Sequence, residues 1–243
     1  MIVLFTDFGA DDVYVGQLKA ALLAHLSPST VIVDLLHSAP RFAVRASACL
    51  LAALQSRFPA GTVFVAVVDP GVGTARDAVV LRADDKWYVG PDNGLLSVIA
   101  ARSAKRGAWR ITWRPEQLSA SFHGRDLFAP VAALIAENRL PPDRIEAIEA
   151  LQVQLGHEDL PEIIYIDHYG NALTGLHARS LRRSARIIVR KRELAYARVF
   201  GEVPESGTFW YENSIGLVEV AANRAHAADL LGIEVGDAVS VVD

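Results

Sequence analysis

The sequence predicts a layered α/β domain followed by a smaller β-barrel domain, on the strength of three observations. Short β-branched runs alternate with amphipathic stretches through the first two-thirds of the chain. The pattern changes after Leu140-Pro141-Pro142, because a helix does not continue through two prolines. From Ile163 onward the apolar runs are short and strand-like, with turn signals between them. We therefore predict domains at residues 1–155 and 156–243.

The elements of the first domain follow from the spacing of its apolar residues. Ile2–Phe5 is a continuous apolar run and indicates a buried strand, whereas Val13–His25 carries apolar residues at helical spacing. Thr62–Val68 is apolar enough to be a central strand covered on both faces. The other predicted elements are a strand at Thr30–Leu35, a hairpin of Ala78–Leu81 with Trp87–Val89, and helices at Val44–Phe58, Leu95–Ser103 and Leu127–Asn138.

The second domain is predicted to contain mainly short strands. These are Ile163–Ile166, Ala185–Val189, Ala195–Val199, Gly216–Val220 and Ala238–Val242. In the fourth of them, Glu219 lies between Val218 and Val220, so its side chain points to the opposite face of the sheet. That face is either exposed to solvent or turned toward a ligand.

Composition and charge exclude several classes of function. With 24 basic and 28 acidic residues the formal charge is −4, so the general basic field of a nucleic-acid-binding protein is absent. The basic cluster within residues 179–192 is local and typical of a solvated strand edge. A lone Cys49 excludes a disulfide framework and a Cys-rich metal site. The N-terminus resembles neither a signal peptide nor a membrane span, so we predict a cytoplasmic protein without a membrane partner.

Four polar clusters interrupt the apolar pattern of the first domain. They are Thr6–Gly9, Asp69–Thr74 with Arg76, Gly90–Gly94 and Phe122–Asp126. The first two directly follow predicted strands, and open α/β sheets bind ligands outside the carboxyl ends of their strands. Together the clusters supply carboxylates, an imidazole and guanidinium groups, a set that is suited to activating water.

Each cluster also has a purely structural interpretation. Asp7 and Asp69 adjoin Gly or Pro, where a carboxylate often closes an Asx turn. His123 could stand at the start of a helix with Asp126 as its N-cap, and Arg76 could be a surface charge. The sequence contains no Gly-x-Ser-x-Gly elbow, no Walker A motif and no Gly-x-Gly-x-x-Gly after a strand. A His/carboxylate metal site stays open, although no His-x-x-x-His pair is present.

Taken in order, the clusters resemble those of the S-adenosyl-L-methionine hydroxide adenosyltransferases, hydrolytic relatives of the fluorinase and chlorinase enzymes. The similar stretches run from residue 6 to past residue 223. They are Thr6–Gly9 with Tyr14–Gly16 and Lys19, Val68–Thr74 with Arg76, Gly90–Leu95, Phe122–Asp126 with Phe128–Pro130, Ile166–Asn171 with Thr174, and Asn213-Ser214 with Gly216. One such stretch is a weak signal of membership in this family, but six stretches in the same order are a specific one.

The resemblance implies hydrolysis of S-adenosyl-L-methionine to adenosine and L-methionine. We expect no cofactor and no metal requirement, because the sequence shows no ligand cluster and a cation beside the sulfonium would add repulsion. Asp69, Arg76 and His123 match the family's water-activating trio, and Asp7 matches the carboxylate that binds the ribose hydroxyls. In the second domain Asp167 matches a carboxylate near the methionine ammonium. Further positions match those lining the adenosine and amino-acid ends, namely Asn171, Ser214, Glu219 and the backbone at Ala222.

The resemblance further implies a homotrimer, in which each active site lies between one subunit's first domain and a neighbour's second domain. Two alternatives are a halogenase on the same scaffold and a non-catalytic adenosine or nucleotide sensor. Asp69 argues against a halogenase because a carboxylate repels halide, and Gly124 lacks the hydroxyl that fluorinase-like enzymes present to it. A sensor does not activate water and therefore does not require Asp69, Arg76 and His123. Ile215 stands where the halogenases carry an arginine for the substrate carboxylate.

Overall fold

The computed structural model describes all 243 residues and divides into two compact units. The first unit comprises residues 1–48 and 57–157, and the second comprises residues 49–56 and 158–243. The chain has a mixed α/β fold, as the sequence predicts. None of its helices has the length and hydrophobicity that crossing a bilayer requires.

The first unit is built on a seven-stranded mixed sheet in the order β2-β1-β3-β5-β4-β6-β7. Its strands are β1 Ile2–Thr6, β2 Ile32–Leu36, β3 Val63–Val67, β4 Ala78–Ala83, β5 Lys86–Pro91, β6 Arg106–Ile111 and β7 Ile145–Ile148. Strands β2, β1, β3 and β5 pair in parallel, whereas β4, β6 and β7 pair antiparallel with their neighbours. Every residue of β1 and β3 is buried, which confirms the predicted central strand.

Four helices lie within the first 136 residues of the chain, and the last two of these contact strands of this sheet. The helices are α1 Val13–Leu23, α2 Val44–Leu54, α3 Ser97–Arg102 and α4 Ala129–Ala136, with a π-helical turn at Gly124–Phe128 and 3-10 turns at Gln55–Arg57 and Pro142–Arg144. The Asp12 carboxylate caps α1 by accepting from the Val13 amide at 2.6 Å. Helices α1 and α4 pack against each other, and Leu18 and Val131 join the core beneath the sheet. This packing holds the carboxyl ends of β1 and β3 in place.

Two strands of the first unit are absent from the sequence prediction. Strand β6 carries Arg106 and Arg110 and most of its residues are only half-buried, so its apolar alternation is weak. Strand β7 is a four-residue edge strand. The predicted hairpin is confirmed as β4 and β5, and the predicted helix at Leu95–Ser103 is reduced to the six residues of α3.

The second unit contains a four-stranded sheet, in the order β12-β13-β9-β8, and a three-stranded sheet, in the order β11-β10-β14. Its strands are β8 Leu160–Ile166, β9 Ala172–His177, β10 Arg186–Val189, β11 Arg192–Leu194, β12 Thr208–Glu212, β13 Leu217–Ala222 and β14 Val239–Val242. One short helix, α5 Ala227–Leu231, and 3-10 turns at Ala178–Ser180 and Phe200–Glu202 complete it. Its core includes Ile163, Trp210, Val218 and Val220.

The predicted strand at Ala195–Val199 is wrong. Strand β11 ends at Leu194, and the following segment contributes a single bridge, Tyr196 to Trp210. A second bridge joins Glu162 to Ala238, so the edges of the two sheets are linked on both sides. Strands β9, β11 and β12 are not predicted. Thr174 and Gly175 interrupt the apolar run of β9, and β11 and β12 are short strands with only one and three apolar or aromatic residues.

Candidate active site

The carboxyl ends of β1 and β3 bring two acidic side chains to one edge of the sheet. Asp7 directly follows β1, and Asp69 lies two residues beyond β3. Thr6 and Val67 are paired in the parallel register, and the Asp7 amide donates to the Val67 carbonyl at 3.3 Å. The expectation that these clusters lie at the carboxyl edge of the sheet is confirmed.

Next to this edge, a buried carboxylate–guanidinium pair, Asp69 and Arg76, meets the half-buried imidazole of His123. Arg76 donates through Nε to Asp69 Oδ1 at 2.8 Å, and a second, short bond joins Arg76 Nη2 to Asp69 Oδ2. The two side chains are only 9% and 4% exposed. Arg76 Nη1 donates to the Asp77 carbonyl at 3.1 Å, and the guanidinium lies over the Phe128 ring. The interpretation of Arg76 as a surface charge is therefore wrong.

Arg76 also determines which nitrogen of His123 carries a proton. Arg76 Nη2 lies 3.2 Å from His123 Nδ1, and because a guanidinium only donates, Nδ1 must accept. The neutral ring therefore carries its proton on Nε2. Burial, reinforced by the charge of Arg76, lowers the pKa of His123 below 6.5, although Asp69 opposes this shift. His123 precedes the π-helical turn, but its side chain makes no capping bond.

Close backbone packing brings the Asp69 and His123 loops together. Gly73 has a φ of +78°, and a Cβ at this position would lie 2.3 Å from the carbonyl oxygen of Ala120. A residue with a side chain would push the two loops apart. Glycine at position 73 thus allows the contact between Arg76 and His123.

A pocket of about 340 Å³, open to solvent, lies in front of these groups. Its walls include Asp7, Asp69, His123 and Gly124, whereas Arg76 does not reach the pocket and lies behind Asp69. Apolar side chains supply most of the remaining wall, namely Phe8, Tyr14, Phe42, Val67, Val72 and Phe122. Phe8, Tyr14 and Phe122 form a cluster of edge-on and tilted rings. Phe42 is not among the predicted site residues; it has a φ of +60° and is 73% exposed.

Asp7 is half-buried in the pocket wall. Its Oδ2 accepts from the Phe42 amide at 3.4 Å. Burial raises the pKa of Asp7, and the nearby Asp69 carboxylate adds to the shift, while the Phe42 amide and Arg41 oppose it. Two carboxylates in one pocket favour a ligand that carries positive charge or several hydroxyl donors.

Other polar residues of the clusters are structural. Asp92 is buried and accepts from the amides of Gln152 and Val153, and Asn93 donates to the Val68 carbonyl. Arg125 pairs with Asp126 on the surface. The structure brings no group of three His, Cys, Asp or Glu side chains together that could hold a metal ion.

A separate hollow lies in the second unit. It is lined by Asp167, Tyr169, Asn171, Phe200, Tyr211, Ala222, Arg224 and Ala225. Asp167 Oδ1 accepts from the amides of Tyr169 and Asn171, both at 2.9 Å, and Oδ2 accepts from Asn171 Nδ2 at 3.0 Å. This carboxylate therefore holds its own turn and fixes the Asn171 carboxamide. The aromatic walls from Phe200 and Tyr211 were not predicted.

Glu219 and Ser214 lie outside the wall of that hollow. Glu219 is 5% exposed and accepts from the Tyr211 hydroxyl at 2.5 Å and from Asn213 Nδ2 at 2.8 Å. Burial raises the pKa of Glu219 despite these two donors. The interpretation of this face as exposed is wrong, because residues around Phe209 cover it. Ser214 is exposed in the turn between β12 and β13.

Removing the Tyr211 hydroxyl is expected to destabilise the second unit. In Tyr211→Phe the buried Glu219 carboxylate loses a donor, which typically costs about 1–3 kcal/mol of unfolding free energy. Chemical denaturation of both proteins at neutral pH measures the difference. Tyr196→Phe is the matched control, because the Tyr196 hydroxyl makes no hydrogen bond and a change within about 0.5 kcal/mol is expected. Equal effects of the two substitutions would contradict the assignment.

The structure is that of a two-domain α/β protein with an acidic pocket at the carboxyl ends of its central strands. Family models describe both parts: the SAM hydroxide adenosyltransferase N-terminal domain matches residues 2–146, and the C-terminal domain of the same family matches residues 161–240. The chain belongs to the S-adenosyl-L-methionine hydroxide adenosyltransferase family, as its resemblance indicated.

Individual relatives agree with this assignment. A protein of Salinispora arenicola named (R)-S-adenosyl-L-methionine hydrolase is 40% identical, over 97% of this chain and 95% of its own. A Thermus thermophilus protein of the same name is 38% identical, over 97% and 96%. The crystal structure of a conserved Thermotoga maritima protein is similar over the whole of both chains, with a TM-score of 0.90 and 32% identity.

Proposed function

We propose that this enzyme hydrolyses S-adenosyl-L-methionine to adenosine and L-methionine, and that its substrate is the (R) sulfonium epimer named for its relatives. The observation that carries the proposal is the Asp69–Arg76–His123 group. Asp69 and His123 line a pocket that also contains Asp7, and Arg76 contacts both of them from outside the pocket. In this proposal Asp7 accepts from the two ribose hydroxyls and Asp69 faces the attacking water.

The reaction needs a nucleophile in the right place more than it needs an acid. Water attacks C5′ of the ribose, an O–C5′ bond forms, and the C5′–S bond breaks with its electron pair staying on sulfur. The leaving group is then the neutral thioether of methionine, which takes up no proton. The proton lost by water passes to the Asp69 carboxylate, whose other lone pairs are held by Arg76.

His123 would orient the water rather than receive its proton. Nδ1 of the neutral ring accepts from Arg76, so Nε2–H is the group left to donate a hydrogen bond to the water oxygen. Arg76, behind Asp69, acts as a positioning residue for both partners. A water fixed between a carboxylate and an N–H donor has one lone pair free to point at C5′.

Isotope labelling tests this proposal. Incubation of the separated (R) and (S) epimers in ¹⁸O-labelled water is expected to give methionine and adenosine labelled at the 5′-hydroxyl, with faster turnover of the (R) epimer. Chromatography with mass spectrometry detects both products. Unlabelled adenosine, or 5′-chloroadenosine accumulating in chloride buffer, would show that water is not the nucleophile.

The two alternatives make different demands on the pocket. A halogenase must bind an anion, but Asp69 and Asp7 both line this pocket and repel halide. A Cβ at Gly124 would lie 3.1 Å from the Phe8 ring, so a hydroxyl-bearing side chain there would be crowded. An adenosine sensor would bind ligand through Asp7 without turnover, and it gives no reason for the buried Asp69–Arg76 pair.

We expect kcat/KM to fall in acid as His123 becomes protonated. A proton on Nδ1 would face the Arg76 guanidinium, so the charged ring loses its hydrogen bond from Arg76 and is repelled by it. Because burial and Arg76 lower the pKa of His123, the midpoint of the acid limb should lie below pH 6.5. Full activity is then retained above this midpoint and is lost as pH falls through it. Initial rates across pH measure the limb, and His123→Gln should abolish it. A midpoint above pH 6.5, or an unchanged limb in the variant, contradicts this role.

The proposal also covers the fold of the second unit and the oligomeric state of the enzyme. The second unit is proposed to be a β-barrel, supported by the bridges Glu162–Ala238 and Tyr196–Trp210 that link the two sheets at both edges. We also propose a homotrimer in which one subunit's pocket is completed by the hollow of a neighbour's second unit.

The absence of a cofactor and the cytoplasmic location stay predictions from the sequence. Unchanged turnover after dialysis against a chelator would support the absence of a metal cofactor.

A further inference from the structure

A buried histidine lies beside the site without a role in the mechanism above. His37 directly follows β2, and its side chain is 6% exposed. Its Nδ1 lies 2.8 Å from Thr6 Oγ1, at the end of the neighbouring parallel strand β1, where Thr6 is fully buried. Its Nε2 lies 3.2 Å from Asp34 Oδ1, without the alignment of a full hydrogen bond. Asp34 in turn receives Lys19 Nζ at 2.9 Å.

One tautomer satisfies this chain of contacts. With the proton on Nε2, His37 directs it at the Asp34 carboxylate, and Nδ1 accepts from the Thr6 hydroxyl. Thr6 Oγ1 then keeps its lone pairs for the Phe8 amide, which donates to it at 3.3 Å. Partial burial opposes ionisation of Asp34, but the hydrogen bond from Lys19 and the proximity of the His37 ring lower the pKa of this carboxylate.

The same residues hold the turn that carries Asp7. The His37 carbonyl accepts from the Gly9 amide at 2.7 Å, and the Thr6 carbonyl accepts from the Ala39 amide at 3.1 Å. Together with the Phe8–Thr6 bond, these contacts attach both sides of the Asp7-Phe8 segment to the end of β2. Asp7 and Phe8 both line the pocket. The segment that carries Asp7 is thus connected to His37 and Thr6, neither of which is in the pocket wall.

We propose that His37 and Thr6 form a positioning pair, which fixes the Asp7 turn for recognition of the ribose diol. The inference rests on the proposed function, because it takes Asp7 as the ribose-binding carboxylate. His37 and Thr6 then contribute to substrate binding and not to the chemical step. Loss of the pair should then raise KM and weaken ribose recognition, while kcat changes little.

The test compares adenosine with 2′-deoxyadenosine by isothermal titration calorimetry, which requires no turnover. Wild type is expected to prefer adenosine by about 10- to 100-fold, the usual effect of a hydrogen bond to a charged group, and Asp7→Asn should lose most of that preference. Thr6→Val keeps the shape of the side chain but removes the hydroxyl. It should reduce the preference about fivefold and raise KM for S-adenosyl-L-methionine, with kcat within about twofold.

Conservative variants separate positioning from stability. Thr6→Ser and His37→Asn keep polar atoms at the shared contact and should retain the preference, whereas His37→Leu should lose it. Thr62→Val is the matched control: Thr62 is 1% exposed and donates to the Pro59 carbonyl at 2.8 Å, at the opposite end of β3. This control should lose stability and keep wild-type ribose preference. Equal ribose preference in Thr6→Val and Thr62→Val would overturn the inference, as would a loss of kcat at unchanged KM.

Failure of the inference can be told from failure of the proposed function. If wild type does not hydrolyse S-adenosyl-L-methionine but the calorimetric pattern holds, the function is wrong and the positioning pair stands. If hydrolysis proceeds and Thr6→Val binds both nucleosides as wild type does, the pair is wrong and the function stands. If Asp7→Asn keeps the full preference for adenosine, the inference is overturned whatever the enzyme hydrolyses.

Discussion

Asp69→Asn is expected to lower kcat for hydrolysis by about 10²- to 10⁴-fold, the usual worth of a positioned proton acceptor. The asparagine side chain has nearly the same shape, but it carries no charge and one of its two polar atoms is a donor. It cannot accept two bonds from Arg76 and the proton of the attacking water. Because water activation is realised only in the transition state, KM and the affinity for adenosine should stay within a few-fold of wild type.

The control for this substitution is an Asp–Arg pair away from the pocket. Asp237 accepts from Arg190 Nε at 2.6 Å in the second unit, so Asp237→Asn also removes a carboxylate from a guanidinium. Its kcat should remain near wild type. Rates from steady-state kinetics and adenosine affinities from calorimetry give the two readouts. If Asp69→Asn raises KM and spares kcat, Asp69 is a binding residue and the assigned chemistry is incorrect.

The predictable part of this molecule is the part determined by local sequence. β1 and β3 are continuous apolar runs with every residue buried, and the polar residues that follow them lie at one sheet edge. Their identification needed only strand periodicity and the rule for open α/β sheets. The same reasoning fails at β6, where two arginines and a glycine leave no clear apolar alternation and the strand depends on its tertiary pairing.

The unpredicted part depends on register between distant segments. His37 meets Thr6 because β1 and β2 are parallel neighbours, with a register shift between Leu4 and Phe5. No local pattern around residue 37 indicates this partner, 31 positions away in sequence. Glu219 presents the same difficulty: alternation gives its face of the sheet, but not that Tyr211 and residues around Phe209 bury that face.

Mixing two inactive variants is expected to restore activity, if the sites are shared between subunits. His123→Ala removes a group from the first unit's pocket, and Asp167→Ala removes the carboxylate that holds the turn beside Asn171 in the second unit. Each variant alone should have less than about one hundredth of wild-type turnover. In mixed trimers, a site that pairs an intact first unit with an intact second unit from a neighbouring chain should turn over normally.

The size of the recovery distinguishes a shared site from one built within a single chain. After subunit exchange at equal concentrations, each contributing chain is intact at the relevant unit half of the time, so about one quarter of the sites should be active. Sites built within one chain would always contain one of the two substitutions, and mixing would restore nothing. Activity is followed through adenosine release, and size-exclusion chromatography with light scattering gives the oligomeric state of the same samples. His123→Ala mixed with a second first-unit variant, Asp69→Asn, is the negative control, because every first unit in that mixture is defective. A fully active monomer would refute the shared site directly.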